Sequence, residues 1–292
     1  METKIIFENI TDLDLKKTFH CGQCFRFVKN EDGSFFGVVR GRAITVEKNG
    51  NALILHGAKE ADRAMWEDHF DLRRDYGEVR RELSSLHPVM KEAADYASGI
   101  RILSQEPYEA LITFIISQNN NIKRIAGIIE RLCERFGEEI GDGVYAFPDA
   151  HTLAALTEED LAPIRAGFRH KYILDAAKKI DSGEIDLETL RALPYEEAQK
   201  ELMKIKGVGI KVADCVLLYG LHRLDAFPMD VWMKRAMKEL FDDLDPSAFG
   251  GNAGIAQQYI FHYSRMHPEL LDRKSTRLNS SHRCTSRMPS SA

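Results

Sequence analysis

The spacing of apolar residues changes once along this chain, and that change limits the folds available to it. Segment 34–57 (SFFGVVRGRAITVEKNGNALILHG) alternates apolar and polar residues and is interrupted by Gly41 and by an Asn-Gly-Asn cluster at 49–51. Alternation between such turn residues predicts three strands joined by tight turns. From Pro107 to Leu271, apolar residues instead recur at the three- and four-residue spacing of amphipathic helices.

Two earlier segments, 60–70 and 75–97, also carry the helical period. The pattern as a whole therefore predicts an α+β fold. We expect an N-terminal domain over residues 1–104, built on an antiparallel β-sheet. An all-α domain over residues 105–271 should follow, and functional residues should lie in it or at its junction with the sheet.

The composition describes an ordinary water-soluble chain. Hydrophobic residues make up 44% of the 292 residues and charged residues 29%. No apolar run reaches the roughly 20 residues of a membrane-spanning helix, and the N-terminus lacks a signal-peptide pattern. We expect a cytoplasmic monomer that binds no membrane. The five cysteines lack paired spacing and should be reduced thiols.

Residues 272–292 (DRKSTRLNSSHRCTSRMPSSA) abandon every pattern that precedes them. They look like the translation of a sequencing-library adapter, so we predict a non-native, disordered tail; a natural basic tail is the alternative. The tail holds five of the 40 Lys and Arg residues and one of the 45 Asp and Glu residues, which leaves a net charge of −9 for residues 1–271. This negative net charge argues against a non-specific nucleic-acid binder, but it does not exclude a local basic face.

The stretch KIKGVGIKVADC, residues 204–215, predicts a helix-hairpin-helix. Pro194 begins the preceding helix, and a second helix begins near Ile210. The glycines of the turn let backbone N–H groups approach an outside group, and the helix N-terminus adds a positive dipole, which together suit a phosphate. Lys211 lies in that first turn, where the dipole and partial burial disfavour the ammonium form, so it is a candidate nucleophile. The alternative is a lysine that pairs with phosphate or faces solvent.

A carboxylate follows in the segment AFPMDVWMKRAM, where Asp230 stands two residues after Pro228 and opens another amphipathic helix. Taken alone, Asp230 is a helix N-cap. Beside Lys211 it has a second use, because an amine nucleophile and a carboxylate together can displace a base from a sugar carbon. The carboxylate would stabilise the developing oxocarbenium-like charge and assist proton movements.

At these residues the chain resembles a known family. GVGIKVADCVLL followed by FPMDVW is similar to the helix-hairpin-helix and aspartate loop of DNA base-excision glycosylases, and the lysine with VADC is similar to 8-oxoguanine DNA glycosylases. Trp232, where eukaryotic members carry histidine, resembles the bacterial members. Further matching segments in the same order are GQCFRF, FDLRRDY, GIRILSQEPYEALITFIISQNNNIKRI, AGFRHKYI and AGIAQQYIF.

The resemblance implies a bifunctional enzyme of base excision repair with a TBP-like N-terminal sheet domain. Lys211 would attack C1′ of the damaged nucleotide and form a Schiff base, after which β-elimination nicks the strand. Asp230 matches the catalytic aspartate. The hairpin at Gly207, Val208 and Gly209 would bind phosphate, and its carbonyls are candidates for holding a monovalent cation. The implied partner is double-stranded DNA that contains oxidised guanine.

Recognition of 8-oxoguanine has a narrow chemical basis, because oxidation converts N7 from an acceptor into an N–H donor. The resemblance puts Gly22 where the family's glycine offers its carbonyl to that donor. It puts Gln257 at the Watson–Crick edge of the base, with Phe261 and Cys215 against its two faces. Without the resemblance, these three are a capping amide, a core ring and an inert buried thiol.

Chemistry on a stacked base requires extruding it and filling the gap. The resemblance gives Asn119 the filling role and makes Arg124 a contact of the orphaned cytosine. Phe168 matches the wedge aromatic and Arg169 a second cytosine-reading arginine. The alternatives are an Asn-rich turn that only caps a helix and an ordinary aromatic–arginine pair.

No cofactor is expected. Related hairpin enzymes with an iron–sulfur cluster carry four cysteines beyond the hairpin, whereas only Cys284 of the tail follows Cys215. The Cys21–Cys24 spacing also has redox and zinc interpretations, but no second ligand pair accompanies it.

Two rival functions stay open at the level of sequence. An alkylated-base DNA glycosylase shares the hairpin, the aspartate and a similar sheet domain, but typically lacks the lysine. A non-catalytic hairpin module would bind DNA through phosphate contacts alone, with strong salt dependence and no response to the lesion.

Overall fold

The computed structural model describes residues 3–272, so all of the predicted tail except Asp272 lies outside the described residues. The strands are β1 (Lys4–Phe7), β2 (Phe27–Lys29), β3 (Phe35–Val39), β4 (Arg42–Asn49), β5 (Ala52–His56), β6 (Glu139–Gly141) and β7 (Val144–Tyr145). The helices are α1 (Leu15–His20), α2 (Arg63–His69), α3 (Tyr76–Leu86), α4 (Pro88–Tyr96), α5 (Pro107–Ser117), α6 (Ile122–Phe136), α7 (Ala150–Ala154), α8 (Glu158–Leu161), α9 (His170–Asp181), α10 (Leu187–Leu190), α11 (Tyr195–Leu202), α12 (Ile210–Cys215), α13 (Val231–Phe241) and α14 (Ala253–Met266).

The N-terminal strands form one antiparallel sheet in the order β1-β5-β4-β3-β2. The three strands predicted from segment 34–57 are β3, β4 and β5, and the prediction is confirmed. Their turns fall at 40–41 and 50–51, where the glycines stand. The edge strands β1 and β2 hold only four and three residues, too few to show alternation in the sequence.

One face of this sheet packs against α1 and α2. Val46, Leu53 and Leu55 are fully buried there, in a cluster that includes Phe19 of α1 and Trp66 of α2. The alternating residues of the strands thus bury one face. This small core holds the loop that follows α1, residues 21–26, at the edge of the helical domain.

The helical segment predicted over 75–97 is two helices. His87 between α3 and α4 is extended (φ −158°, ψ 141°), and its ring Nδ1 accepts a hydrogen bond from the N–H of Val89. Pro88 explains the break, because a proline disfavours the helical conformation of the residue before it. The sequence pattern correctly predicted helix on both sides of His87. The prediction was wrong only in treating the two helices as one.

The helices share a second, larger core. Tyr76 and Leu83 of α3 and Met90 of α4 belong to it together with the side chains of α5, α12 and α14. Packing therefore joins α3 and α4 to the helical layer, while the predicted boundary at 104/105 stays a prediction. Among residues 3–272, no helix has both the length and the apolar character needed to cross a bilayer.

The two layers are joined by an extended segment, residues 99–105, that is buried but belongs to no sheet. Its N–H groups are satisfied by scattered partners: that of Arg101 by the Thr18 hydroxyl, that of Ile102 by the Tyr76 hydroxyl and that of Leu103 by Oε1 of Gln23. The Arg101 guanidinium donates to the carbonyls of residues 12 and 71, at 2.8 and 2.7 Å. This segment, which we call the junction segment, ties the sheet to the helices.

Replacing Gly99 with alanine should destabilise this junction. Gly99 has φ +90°, and a Cβ there would lie 2.8 Å from Cβ of Asp14 and 2.9 Å from its backbone N. We expect Gly99→Ala to lower the free energy of unfolding by about 3 kcal/mol. Gly33 is the matched control, because its φ is +93° with no atom within 4 Å of the added Cβ. Gly33→Ala should lose only about 1 kcal/mol; equal losses in urea unfolding would contradict the predicted collision.

A buried carboxylate should make stability depend on pH. Glu109 of α5 is 15% exposed and lies 3.6 Å from Arg26. Burial raises the pKa of Glu109 from 4.5 to about 7, and Arg26 opposes that shift. Because its pKa is higher in the folded than in the unfolded chain, the folded state binds more protons between these values, and stability falls as pH rises through this window.

Glu109→Gln removes that titration. The difference in unfolding free energy between wild type and Glu109→Gln should therefore change with pH, with a slope that approaches about 1.4 kcal/mol per unit between pH 5 and 7. Above pH 8 the difference should be constant. Urea titrations of both proteins from pH 5 to 9 measure it, and parallel curves throughout would show that Glu109 titrates at its ordinary value.

Candidate active site

The predicted helix-hairpin-helix is present: α11 leads through a turn into α12. Gly207 has φ +79°, and a Cβ on it would lie 2.4 Å from the ring of Tyr172, so both conformation and space require glycine. Gly209 is extended, and a Cβ on it would meet no atom within 4 Å. The N–H of Lys206 donates to Asp175 of α9, at 2.7 Å. Two contacts with α9 thus hold the turn.

A buried carboxylate clamps the two hairpin helices together. Asp214 of α12 is 4% exposed and accepts hydrogen bonds at 2.6 Å from the Tyr195 hydroxyl and the Gln199 amide of α11. Burial raises the pKa of Asp214, and these two donors oppose the shift. Beyond Cys215 the helix continues in a wider π-helical turn, Val216–Gly220. The clamp fixes the rotation of α12 and hence the direction in which Lys211 points.

Lys211 points into a cleft between the 21–26 loop, α12 and α14. Gly22, Cys215, Asp230, Gln257 and Phe261, all predicted site residues, line the same cleft. The structure therefore brings six predicted residues together. The rest of the lining of this cleft, none of it predicted as part of the site, is Cys21, Phe114, Tyr219, Pro228 and Gln258.

The surroundings of Lys211 are largely apolar. Its Nζ lies 5.5 Å from the centroid of the Phe114 ring. Cys215 follows one helical turn later and is 3% exposed. Burial raises the pKa of the Cys215 thiol to about 11, although the neighbouring Lys211 opposes the shift. Cys215 is therefore a neutral thiol beside the Lys211 amine. The structure fits both interpretations of this residue, an inert buried thiol and a residue that lines the cleft.

Asp230 combines both interpretations raised by the sequence. Its Oδ1 accepts a hydrogen bond from the N–H of Met233 at 2.7 Å, so it is the N-cap of α13. It also lines the cleft with Lys211. Trp232 lies away from the carboxylate: its Nε1 donates to the Ser264 hydroxyl at 2.9 Å. One carboxylate oxygen is thus committed to the helix, which leaves the other for the cleft.

The far wall of the cleft comes from α14. Gln257 is 5% exposed, and its Nε2 donates to the carbonyl of Pro228 at 3.2 Å. Its Oε1 is buried without a partner among the described residues, so it can accept a hydrogen bond from a group that enters the cleft. Phe261 lies one turn further on, and a Cβ at Gly22 would be 3.8 Å from its ring. Gly22, with φ +91°, therefore faces Phe261 directly.

The second predicted group lies at two neighbouring turns outside the cleft lining. Asn119 is exposed with φ +46°, and Arg124 is exposed at the start of α6. Phe168 is 53% exposed and its ring lies 4.4 Å from the Arg169 guanidinium. Arg169 itself is 2% exposed, and it donates to the carbonyls of residues 118, 119 and 166.

Within the second group, Arg169 supports the turn, whereas the other three residues are exposed. Arg169 holds the 118–119 turn that carries Asn119, so any contact of its guanidinium with a base would need a change of side-chain conformation. Asn119, Arg124 and Phe168 are accessible as they stand. The roles of all four stay predictions.

The described cysteines are unpaired and buried. Burial raises the pKa of Cys21 to about 12, and its thiol donates to the carbonyl of Thr18 at 3.2 Å. Cys24 likewise has a pKa well above its ordinary value because of burial. Over residues 3–272 no group of three or more Cys, His, Asp or Glu side chains has the arrangement of a metal site.

The capping role of Asp230 can be measured apart from any chemistry. Asp230→Ala removes the acceptor for the Met233 N–H and should lower the free energy of unfolding by about 1 kcal/mol. Asp230→Asn keeps an oxygen at the same position and should be within about 0.5 kcal/mol of wild type. Thermal and urea unfolding of both variants would test this, and equal stability of Ala and Asn variants would mean that the cap contributes nothing.

Two family models together match most of the described chain. The N-terminal domain of 8-oxoguanine DNA glycosylase matches residues 5–111, and the HhH-GPD superfamily of base excision DNA repair proteins matches residues 112–246. The N-glycosylase/DNA lyase OGG1 of Arabidopsis thaliana is 30% identical over 86% of this chain and 77% of its own length. The N-glycosylase/DNA lyase of Saccharomyces cerevisiae is 42% identical over 48% of this chain, a match that spans only 41% of the yeast enzyme.

A solved structure is similar over nearly the whole described chain. It is the 8-oxoguanine glycosylase/lyase of Clostridium acetobutylicum in complex with double-stranded DNA that contains cytosine opposite 8-oxoguanine. The two chains are 38% identical and superpose with a TM-score of 0.84, over 92% of this chain and 98% of the other. Fold, site and relatives thus point to one family.

Proposed function

Because this chain belongs to the 8-oxoguanine DNA glycosylases of the helix-hairpin-helix base-excision superfamily, we propose that it excises 8-oxoguanine opposite cytosine from duplex DNA and then nicks the strand. One observation carries the proposal. A lysine and a carboxylate, Lys211 and Asp230, share a cleft with the unpartnered Oε1 of Gln257. A nucleophile, a charge stabiliser and a base-reading acceptor are what N-glycosidic cleavage of a specific base requires.

The chemical step begins with the lysine. Nζ of Lys211, as the free amine, forms a bond to C1′ while the bond from C1′ to N9 breaks and the base leaves with the bonding electrons and takes up a proton. Loss of the amine proton and opening of the sugar give a Schiff base. Removal of a C2′ proton then lets the 3′ phosphate leave with the electrons of its C3′–O bond. Glycosylase and lyase activities thus share one amine.

Asp230 acts electrostatically in this proposal. Its carboxylate stands near the sugar, where positive charge develops as the base departs. Because one oxygen is held by the N–H of Met233, the group is oriented before the substrate arrives. Its place at the positive end of the α13 dipole suits a negative charge.

The flipped base would lie between Phe261 and Cys215. The N7–H of 8-oxoguanine donates to the Gly22 carbonyl, whereas the N7 lone pair of guanine is repelled by it. Gln257 contributes Oε1 to an N–H donor of the Watson–Crick edge. That contact satisfies an acceptor that has no partner among the described residues. It selects the donor edge that guanine and 8-oxoguanine share, so the contact with the Gly22 carbonyl is the one that distinguishes these two bases.

The second group of predicted residues contacts the strand opposite the lesion. Asn119 enters the gap left by the extruded nucleotide, Phe168 wedges beside it, and Arg124 contacts the orphaned cytosine. Arg169 contacts the same cytosine after its guanidinium leaves the carbonyls of residues 118, 119 and 166. The backbone of the hairpin, Gly207 to Gly209, binds a phosphate. Its carbonyl oxygens are hard donors of the kind that suit a monovalent cation.

Borohydride trapping tests the lysine chemistry. We expect wild type, on a duplex with one 8-oxoguanine opposite cytosine, to form a covalent protein–DNA adduct that undamaged duplexes do not form. Lys211→Gln should lose the adduct completely. Lys200→Gln, which removes the same charge from an exposed position of α11, is the matched control and should keep it. Asp230→Asn should reduce the rate at least about 100-fold while it folds normally.

Other outcomes identify the rival functions. Release of free base without an adduct, most of all from alkylated duplexes, would point to a water-attacking glycosylase. Binding that is equal for damaged and undamaged duplexes and falls steeply with salt would point to a non-catalytic hairpin module. An adduct retained by Lys211→Gln would assign the amine to another lysine.

A further inference from the structure

The loop that carries Gly22 is held by a ring of buried hydrogen bonds, and none of the side chains that form the ring was singled out in the sequence. Tyr219 and Gln258 line the cleft, and Gln23 and Gln105 lie behind it. All four are buried; Tyr219, Gln258, Gln23 and Gln105 have exposures of 4%, 1%, 0% and 9% in that order. We call Gln23, Gln105, Tyr219 and Gln258 the Gly22 frame.

One side of the frame holds the peptide before Gly22. The Tyr219 hydroxyl donates to Oε1 of Gln258 at 2.6 Å, and Nε2 of Gln258 donates to the carbonyl of Cys21 at 3.1 Å. Only this amide orientation works, because a carbonyl can only accept. Burial raises the pKa of Tyr219 well above its usual range, so its hydroxyl remains a donor.

The other side holds the Gln23–Cys24 peptide, one peptide beyond the Gly22 carbonyl. The N–H of Gln105 donates to the carbonyl of Tyr219 at 2.8 Å, and Nε2 of Gln105 donates to the carbonyl of Gln23 at 2.7 Å. The Gln23 side chain is itself fixed by the carbonyls of residues 18 and 101 and by the N–H of residue 103. Tyr219 therefore begins both arms, one from its hydroxyl and one from its backbone.

A glycine at φ +91° has little intrinsic preference for one direction of its carbonyl. Its carbonyl lies between the two tethered peptides, so its direction depends on the frame. The Tyr219 ring also stacks on Phe114, with ring centroids 5.2 Å apart, and Phe114 lies beneath Lys211. The Gly22 frame thus fixes the position of the loop that carries Gly22 relative to the helix that carries Lys211.

We propose that Tyr219 and Gln258 are specificity-determining positioning residues, which fix the Gly22 carbonyl at the place where it distinguishes 8-oxoguanine from guanine. This inference rests on the proposed function, because it assumes that the Gly22 carbonyl reads N7. Neither residue touches the reacting atoms. They act through the Cys21–Gly22 peptide, so their loss affects recognition of the base and spares chemistry on a sugar that carries no base.

Binding should be measured first, in a Lys211→Gln background that prevents turnover. The quantity is the ratio of the dissociation constants for undamaged and 8-oxoguanine duplexes. Adding Gln258→Leu should reduce that ratio about tenfold, the equivalent of one net buried hydrogen bond. Affinity for the undamaged duplex should stay within twofold. Ile260→Val, a small change at a buried position of the same helix, controls for loosening of α14 and should keep the ratio.

Lyase activity distinguishes a positioning role from a merely structural one. A loss of structure would slow base excision and abasic-site cleavage together, whereas a loss of positioning should slow only base excision. With Lys211 intact, Gln258→Leu should excise 8-oxoguanine about tenfold more slowly, while cleavage at a preformed abasic site stays within twofold of wild type. Tyr219→Phe should behave in the same way. The double variant should be no worse than either single variant, because both break the same arm.

The outcomes are distinct. A wild type that does not discriminate 8-oxoguanine from guanine would remove the proposed function itself. A wild type that discriminates, together with a folded Gln258→Leu that discriminates equally well, would overturn the role of the frame. So would a parallel loss of base excision and abasic-site cleavage, or strictly additive effects of Gln258→Leu and Tyr219→Phe.

Discussion

The structure depends on satisfying the backbone of the junction segment, residues 99–105. A buried extended segment outside any sheet has no neighbouring strand to supply hydrogen bonds. Each backbone N–H or C=O group left without a partner there would destabilise the fold. Here the partners come from α1, from α3 and from the helix after Lys211, through Thr18, Tyr76 and the Tyr219 carbonyl. Elements far apart in sequence must therefore assemble around this segment together. That requirement sets the sheet against the helices in one arrangement.

The cleft follows from the same requirement. Gln23 accepts a hydrogen bond from the junction segment, and Gln105 belongs to that segment. Gln105 also donates to the carbonyl of Gln23, which holds the loop that carries Gly22. α12 brings Lys211 to the opposite wall, with its rotation set by the clamp at Asp214. Because Lys211 and the loop that carries Gly22 belong to different layers, the distance between them is controlled by the junction segment. The Gly22 carbonyl and the Lys211 amine are thus held at a fixed separation by the packing of the two layers.

Local rules were sufficient for much of the site. The turn at Gly207 and the cap at Asp230 are decided within a few residues, so glycine and aspartate in that context predict them. Lys211 and Cys215 stand four apart on one helix, so their common face follows from the helical period. The break at His87 was also within reach of a local rule, since Pro88 follows it. The burial of Arg169 was not, because two of its three carbonyl partners, those of residues 118 and 119, are about fifty residues away.

The sequence by itself determined the strands β3 to β5, the main helical segments, where the hairpin turns, and which residues have the chemistry of a base-excision enzyme. It could do so because periodicity, turn propensity and side-chain chemistry act over short stretches. Tertiary structure alone decided that Gly22, Asp230 and Gln257 meet Lys211 in one cleft. It also decided that Tyr219 bonds to Gln258, and Gln258 to Cys21 in the loop that carries Gly22. A glutamine or a tyrosine in a helix carries no local mark of its partner, and a hydrogen bond that joins Gln258 to Cys21 exists only once two distant elements are packed.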